Sequence, residues 1–245
     1  MKVAIITGTS SGLGKAFAQA LLYLGWKVYG ISRREAPELM AHSNFRQIIM
    51  DLAKPLDKQL LTKEIQEKKI DLLVNNAGVC ITGPADQWDE AAYNNTFRIQ
   101  YTTPMELLSY FVNMLKDGQI INILSDAAVL GWESFGLFGA SKAALLLHSK
   151  SYAKEHPEIK LLNIHPSSVD TPMTDTVSQE AIAERHNFME VQEIVGLFLQ
   201  AITGVLSLPT GSSIFAHNQW EAPDLRELGS NIYLYNVESK SLIKL

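Results

Sequence analysis

Val3-Ala4-Ile5-Ile6-Thr7 runs without a break into Gly8-Thr9-Ser10-Ser11-Gly12-Leu13-Gly14, and no other stretch constrains the fold as tightly. A short continuous apolar run followed by a turn signal reads as a strand buried on both faces, as in a parallel sheet. The glycines allow the backbone to turn sharply, to approach a ligand closely and to pack the following helix against the sheet. A helix that begins at such a turn directs unpaired N–H groups and the positive end of its dipole at it, which suits a diphosphate. Gly8, Ser10, Ser11, Gly12, Leu13 and Gly14 are therefore a candidate dinucleotide cradle. Their spacing, Gly-x-x-x-Gly-x-Gly, differs from the commoner Gly-x-Gly-x-x-Gly fingerprint. A plain Gly/Ser-rich turn has the same composition.

The 245 residues suffice for one sizeable core, and no stretch reads as an interdomain linker. A net charge of −5 argues against nucleic acid and against an anionic membrane surface as partners. The single cysteine, Cys80, cannot form an internal disulfide, which favours a cytoplasmic address. A strand starting at Val3 leaves no room for a signal peptide, and no apolar run approaches the roughly 18 residues of a bilayer span. His148 and His156 lack metal-ligand spacing and read as helix-surface residues, so no metal is expected.

Beyond the glycines, Ala16, Phe17, Ala20, Leu21 and Leu24 recur at helical spacing, and Gly25 stops the helix. The second strand, Lys27 to Ile31, ends at Ser32-Arg33-Arg34. An acidic side chain there would hold the ribose hydroxyls of NAD, whereas a serine hydroxyl and guanidinium groups suit a 2′-phosphate, so NADP is expected over NAD. Two arginines after a strand are also ordinary solvated loop charges, and Glu35 offers an acceptor for a ribose. Phe45 to Met50 reads as a third strand ending at Asp51-Leu52, a carboxylate to accept from an adenine amino group and a leucine to pack on its ring, or simply a strand end. A helix over 57–68 and a fourth strand over 70–74 lead to Asn75-Asn76-Ala77-Gly78.

Thr7-Gly-x-x-x-Gly-x-Gly14, Asp51-Leu52 and Asn75-Asn76-Ala77-Gly78, in that order and spacing, resemble the short-chain dehydrogenase/reductase family. The resemblance implies an α/β fold with a doubly wound, Rossmann-like, seven-stranded parallel sheet. On this basis residues 1–217 form a dinucleotide-binding domain and 218–245 a C-terminal extension of it. It also implies hydride transfer between a nicotinamide and a carbonyl or alcohol carbon. Asn76, Ala77 and Gly78 would lie along the cofactor, with Asn75 tying neighbouring strands together. Pro166, Val169 and Thr171 would meet its nicotinamide end, although Ser167 stands where the family shows glycine.

The family works with a serine, a tyrosine, a lysine and an asparagine. The resemblance puts the serine at Ser125 and the lysine at Lys142, but Phe138 at the tyrosine position, by divergence or by deliberate substitution. It puts Gln100 at the asparagine position, with Asn94 and Asn95 as alternatives. Ketone reduction needs a proton donor on the carbonyl oxygen, and phenylalanine has none; losing a general acid typically costs about 10²–10⁴ in rate, or roughly 3–5 kcal/mol of barrier.

Ala127, Trp132, Phe135 and Met173 are candidate pocket walls, pointing to a hydrophobic carbonyl or alcohol substrate. A polar lid is expected over 173–189, including Thr174, Asp175, Ser178 and Gln179. Apolar residues on helices near 101–116 and 139–155 point to a homodimer or homotetramer. Residues 231–236 and 241–245 flank a turn and read as a β-hairpin. The rival readings are a non-redox enzyme on the same fold, such as a cyclase, isomerase or lyase, and a non-catalytic NADP-binding scaffold.

Overall fold

The N-terminal apolar run forms β1 (Val3–Thr7), buried along its whole length between two parallel neighbours, β2 (Lys27–Ser32) and β4 (Leu72–Asn75). The computed structural model describes residues 1–87, 89–177, 185–218, 225 and 230–245. Its further strands are β3 (Phe45–Ile49), β5 (Gln119–Ile123), β6 (Lys160–Pro166), β7 (Ser212–His217), β8 (Ile232–Asn236) and β9 (Ser241–Lys244). They form one sheet of order β3-β2-β1-β4-β5-β6-β7-β8-β9. Every pairing from β3 to β8 is parallel; β9 returns antiparallel to β8.

The sheet therefore has nine strands among the described residues, which corrects the expected seven. The C-terminal hairpin exists, but it continues the main sheet. Ile232 and Tyr235 are almost fully buried, so β8 covers the apolar edge that β7 would otherwise expose.

The helices are α1 (Gly12–Tyr23), α2 (Pro37–Met40), α3 (Lys58–Glu64), α4 (Glu90–Phe97), α5 (Thr103–Phe111), α6 (Gly136–Glu155) and α7 (Val191–Thr203). Phe17 and Leu21 of α1 and Leu197 and Phe198 of α7 pack on one face of the sheet, against Ala4, Ile6, Val74 and Ile164. Leu61 of α3, Leu107 and Phe111 of α5 and Tyr152 of α6 cover the other face, against Ile5, Leu73 and Leu161. Side chains alternate across each strand, and both faces are apolar, hence the unbroken hydrophobic runs. No helix among the described residues is long and apolar enough to cross a membrane.

Strand order reverses between β1 and β4, because β2 and β3 lie on one side and β5 to β9 on the other. Such a switch point opens a crevice beyond the carboxyl ends of the strands. Three buried asparagines brace this region: Asn75 donates to Asn122 at 2.8 Å, and Asn122 donates to Asn163 at 3.0 Å. Ser149 of α6 donates to the same Asn163 oxygen at 3.0 Å, linking the helix to the strands.

In the expected lid, short turns occupy Thr174–Thr176 and Arg185–Asn187, while Ser178 and Gln179 lie outside the described residues. Arg185 pairs with both Asp170 and Asp175.

Candidate active site

A cleft of about 1090 Å³ runs across the carboxyl ends of the strands at the switch point. Gly8, Ser10, Ser11, Gly12 and Leu13 line one end, where β1 turns into α1. Gly8 sits at φ +79°, and a Cβ there would approach Asn76 Nδ2 to 2.9 Å. A Cβ on Gly14 would meet the Gly8 carbonyl oxygen at 2.3 Å, so the tight return of the chain excludes any larger residue. Thr7 fixes the floor: its hydroxyl accepts from the N–H groups of Asn76 and Ala77 at 2.9 and 3.0 Å. No acidic residue lies in the first turn of α1, so its free N–H groups face the cleft without a competing carboxylate. These features fit a dinucleotide diphosphate.

Ser32, Arg33, Arg34, Asp51 and Leu52 line the next part of the wall. Both arginines are exposed. Ser32 is buried, and its hydroxyl donates to the Arg34 carbonyl at 2.8 Å and accepts from Gln47 at 2.9 Å. The expectation that it donates to a 2′-phosphate is thus altered: its proton is engaged within the turn, leaving the guanidinium groups as the free donors. Asp51 accepts from the Ala53 N–H at 3.1 Å.

Asn76, Ala77, Gly78, Pro166, Val169 and Thr171 all line the central part. Ser125, two residues past the end of β5, lines the cleft with them; its hydroxyl accepts from the Ala127 N–H at 3.2 Å and donates to Asp126 Oδ1 at 3.0 Å. Lys142 of α6 lines the cleft too, but its ammonium donates to the Ile123 carbonyl at 2.9 Å. Burial without an anionic partner pulls its pKa down to about 8. Phe138 lies one turn earlier on α6 with its ring 5.7 Å from Lys142 Nζ, in a small apolar cluster with Cys80 and Ala127. Burial also pushes the Cys80 thiol up to about 11.

Gln100 is not among the cleft residues. It falls in a π-helical turn, Arg98–Thr102, between α4 and α5, where it accepts from the Val79 N–H at 3.0 Å and donates to Ser141. Both ends of its amide are thus committed to protein partners. Asn94 and Asn95 line a separate surface depression with Tyr93 and Tyr101.

Ala127, Trp132, Phe135 and Met173 line the far end. Phe215, Leu225 and Leu234 join them from the C-terminal part of the chain. Sequence reasoning missed two polar residues here, Asp126 and His165. His165 is fully buried, stacked on Phe215 at 4.1 Å, with its ring nitrogens 2.9 Å from the Ser125 carbonyl and 3.2 Å from Ser213 Oγ. Desolvation holds its pKa down to about 3, so it is neutral. The signal for Asp126 was its position next to Ser125; for His165, an ionisable residue near the end of a buried strand.

Comparison with known proteins places this geometry among relatives. Residues 2–182 match the family model for short chain dehydrogenase. The chain is 30% identical over 181 residues to 3-ketodihydrosphingosine reductase of Bacteroides thetaiotaomicron, covering 71% of this chain and 66% of that one. It is 30% identical over 217 residues to benzil reductase ((S)-benzoin forming) of Bacillus cereus, covering 80% and 86% respectively. Among solved structures, a blue fluorescent protein from a metagenomic library in complex with NADPH is similar with a TM-score of 0.77 at 28% identity, over 90% of this chain and 98% of that one.

Proposed function

The chain belongs to the short-chain dehydrogenase family and is an enzyme of that type, and from this we propose an NADP-dependent oxidoreductase acting on a carbonyl or alcohol of a hydrophobic small molecule. The observation that carries the reading is that the glycine cradle and Ser125 open into one continuous cleft. A nicotinamide cofactor bound there supplies or accepts the hydride. The cradle of Gly8 to Gly14 would hold its diphosphate, Asp51 and Leu52 its adenine, and Asn76 to Gly78 with Pro166, Val169 and Thr171 its nicotinamide half. Arg33 and Arg34 would pair with a 2′-phosphate, which supports NADP over NAD. The similar structure in complex with NADPH supports a nicotinamide cofactor in this cleft.

Ser125 would donate a hydrogen bond to the substrate oxygen. Lys142, which lines the same cleft, would hold the nicotinamide ribose. Phe138 would stand where the family has its phenol, and its ring cannot supply a proton. The walls formed by Ala127, Trp132, Phe135, Met173, Leu225 and Leu234 support an apolar or aromatic substrate. The relative named as a benzil reductase supports the same class. Leu147 on α6 is 70% exposed, which supports pairing with a second copy in a homodimer or homotetramer. The lone cysteine supports a reducing, cytoplasmic setting.

The test is NADPH oxidation against a panel of aromatic and aliphatic ketones, with NADH in parallel. Slow turnover of apolar ketones, faster with NADPH, is expected. Phe138→Tyr should raise that turnover by about a hundredfold or more. NADPH binding without its oxidation by any ketone would overturn the redox reading and favour a dinucleotide-binding scaffold.

A further inference from the structure

One carboxyl group on the cleft wall has no role in the reading above. Asp126 opens a short turn, Asp126–Ala128, immediately after β5, and its Oδ1 lies 3.0 Å from Ser125 Oγ. The Ser167 hydroxyl and the Trp132 indole stand beside it as further donors. Among the described residues it belongs to no ion pair. Burial raises its pKa, and these hydrogen bonds offset that only in part, so it holds a proton more readily than an ordinary carboxylate.

Lys142, Cys80 and His165 on this wall are poorly placed to pass a proton to a substrate oxygen. Lys142 on α6 is turned to the Ile123 carbonyl, and the Cys80 thiol is held protonated. His165 on β6 is neutral, its ring nitrogens occupied by the Ser125 carbonyl and Ser213. Glu133 and His217 also face the cleft, with no recorded bond to Ser125. Among the described residues, the acid in contact with Ser125 is Asp126.

We propose that Asp126 is the proton source for ketone reduction in this chain, acting through the Ser125 hydroxyl in place of the phenol that Phe138 lacks. The proposal rests on the redox reading. As the carbonyl carbon gains hydride from reduced nicotinamide, the π electron pair moves to the carbonyl oxygen. When Asp126 is protonated its 3.0 Å contact with Ser125 runs the other way, the carboxylic O–H donating to Ser125 Oγ and freeing the hydroxyl proton for the carbonyl oxygen. That oxygen takes the Ser125 proton, Ser125 Oγ takes the Asp126 proton, and solvent reprotonates the carboxylate. Alcohol oxidation runs the same transfers backwards. Asp126 does not touch substrate; it sets the acidity of the group that does.

The test pairs two measurements. Carboxyl carbon NMR titration of the protein without cofactor should show a signal titrating above the usual carboxylate range, absent from Asp126→Asn and displaced in Ser125→Ala. The pH profile of NADPH oxidation with benzil should fall as pH rises through that same titration. Asp126→Asn keeps an acceptor oxygen for Trp132 and Ser167, and should lose about a hundredfold in kcat together with the pH limb. A signal titrating in the ordinary range, or an Asp126→Asn protein with the wild-type rate and profile, overturns the proposal alone. A wild-type protein inactive on every ketone overturns the redox reading and this proposal with it.

Discussion

Lys142 and His165 are two buried bases whose charged forms the fold opposes, and each makes a pH-dependent contribution of defined sign. Lys142 falls from 10.5 to about 8 on folding, so the unfolded chain binds more protons between those values. Stability should therefore rise with pH across that window, and Lys142→Met should flatten the rise in urea melts. His165 falls from 6.5 to about 3, so the unfolded chain again binds the extra proton. Its share of stability is present above about 6.5 and is lost as pH drops toward 3. Thermal melts of His165→Gln should show a shallower acid decline than wild type; an identical decline would contradict the assignment. These residues also mark what was legible at this scale. The positions of Ser125, Phe138 and Lys142 came from the spacing of the family they resemble, and all three line the cleft. Gln100 does not, since the π-helical turn that carries it twists the amide onto Val79 and Ser141. Asp126 escaped notice because its weight comes from burial and from a partner far along the chain, Ser167, together with Trp132.

Among the elements, the β1–α1 turn and the asparagine ladder bear most of the geometry of the cleft. Gly14→Ala forces a Cβ to within 2.3 Å of the Gly8 carbonyl. The strain should cost about 1–3 kcal/mol in urea unfolding and weaken NADPH binding at least tenfold by calorimetry, as the cradle opens. Asn122→Ala leaves the Asn75 amide without its recorded acceptor inside the sheet and should cost about 1–3 kcal/mol, measured the same way. A neutral Asn122→Ala would mean that the ladder does not brace the strands. The glycine turn was legible because its chemistry is local. So was the stop at Gly25, whose φ is +77°. The helix read over 57–68 is shorter, Lys58–Glu64, because Asp57 caps its start and Ile65 is already extended. The hairpin turn between β8 and β9 was equally local. The parallel pairing of β8 with β7 was not, because it depends on a crossover through the intervening chain that no neighbouring residues encode.

For the molecule as a whole, the strands up to β7 followed from apolar runs and their punctuation and the parallel, doubly wound sheet from the family resemblance, while the extension of that sheet by β8 and β9 followed from neither. Ending the chain after residue 217 removes β8 and β9, uncovers β7, and strips Leu225 and Leu234 from the cleft. The shortened protein should aggregate or melt far below the intact one in size-exclusion and thermal experiments; a monomer of unchanged melting temperature would show that the extension is dispensable. The central claim is that the cleft at the switch point holds NADP, with its 2′-phosphate against the arginines that follow β2. Isothermal calorimetry with NADPH and NADH on the intact protein and on Arg33→Ala/Arg34→Ala is the direct test. The account predicts tighter NADPH than NADH binding to the intact protein, and a loss of at least tenfold in NADPH affinity in the double variant with NADH little changed. Absence of heat and of competition with either dinucleotide, or NADPH binding untouched by loss of both arginines, would contradict it.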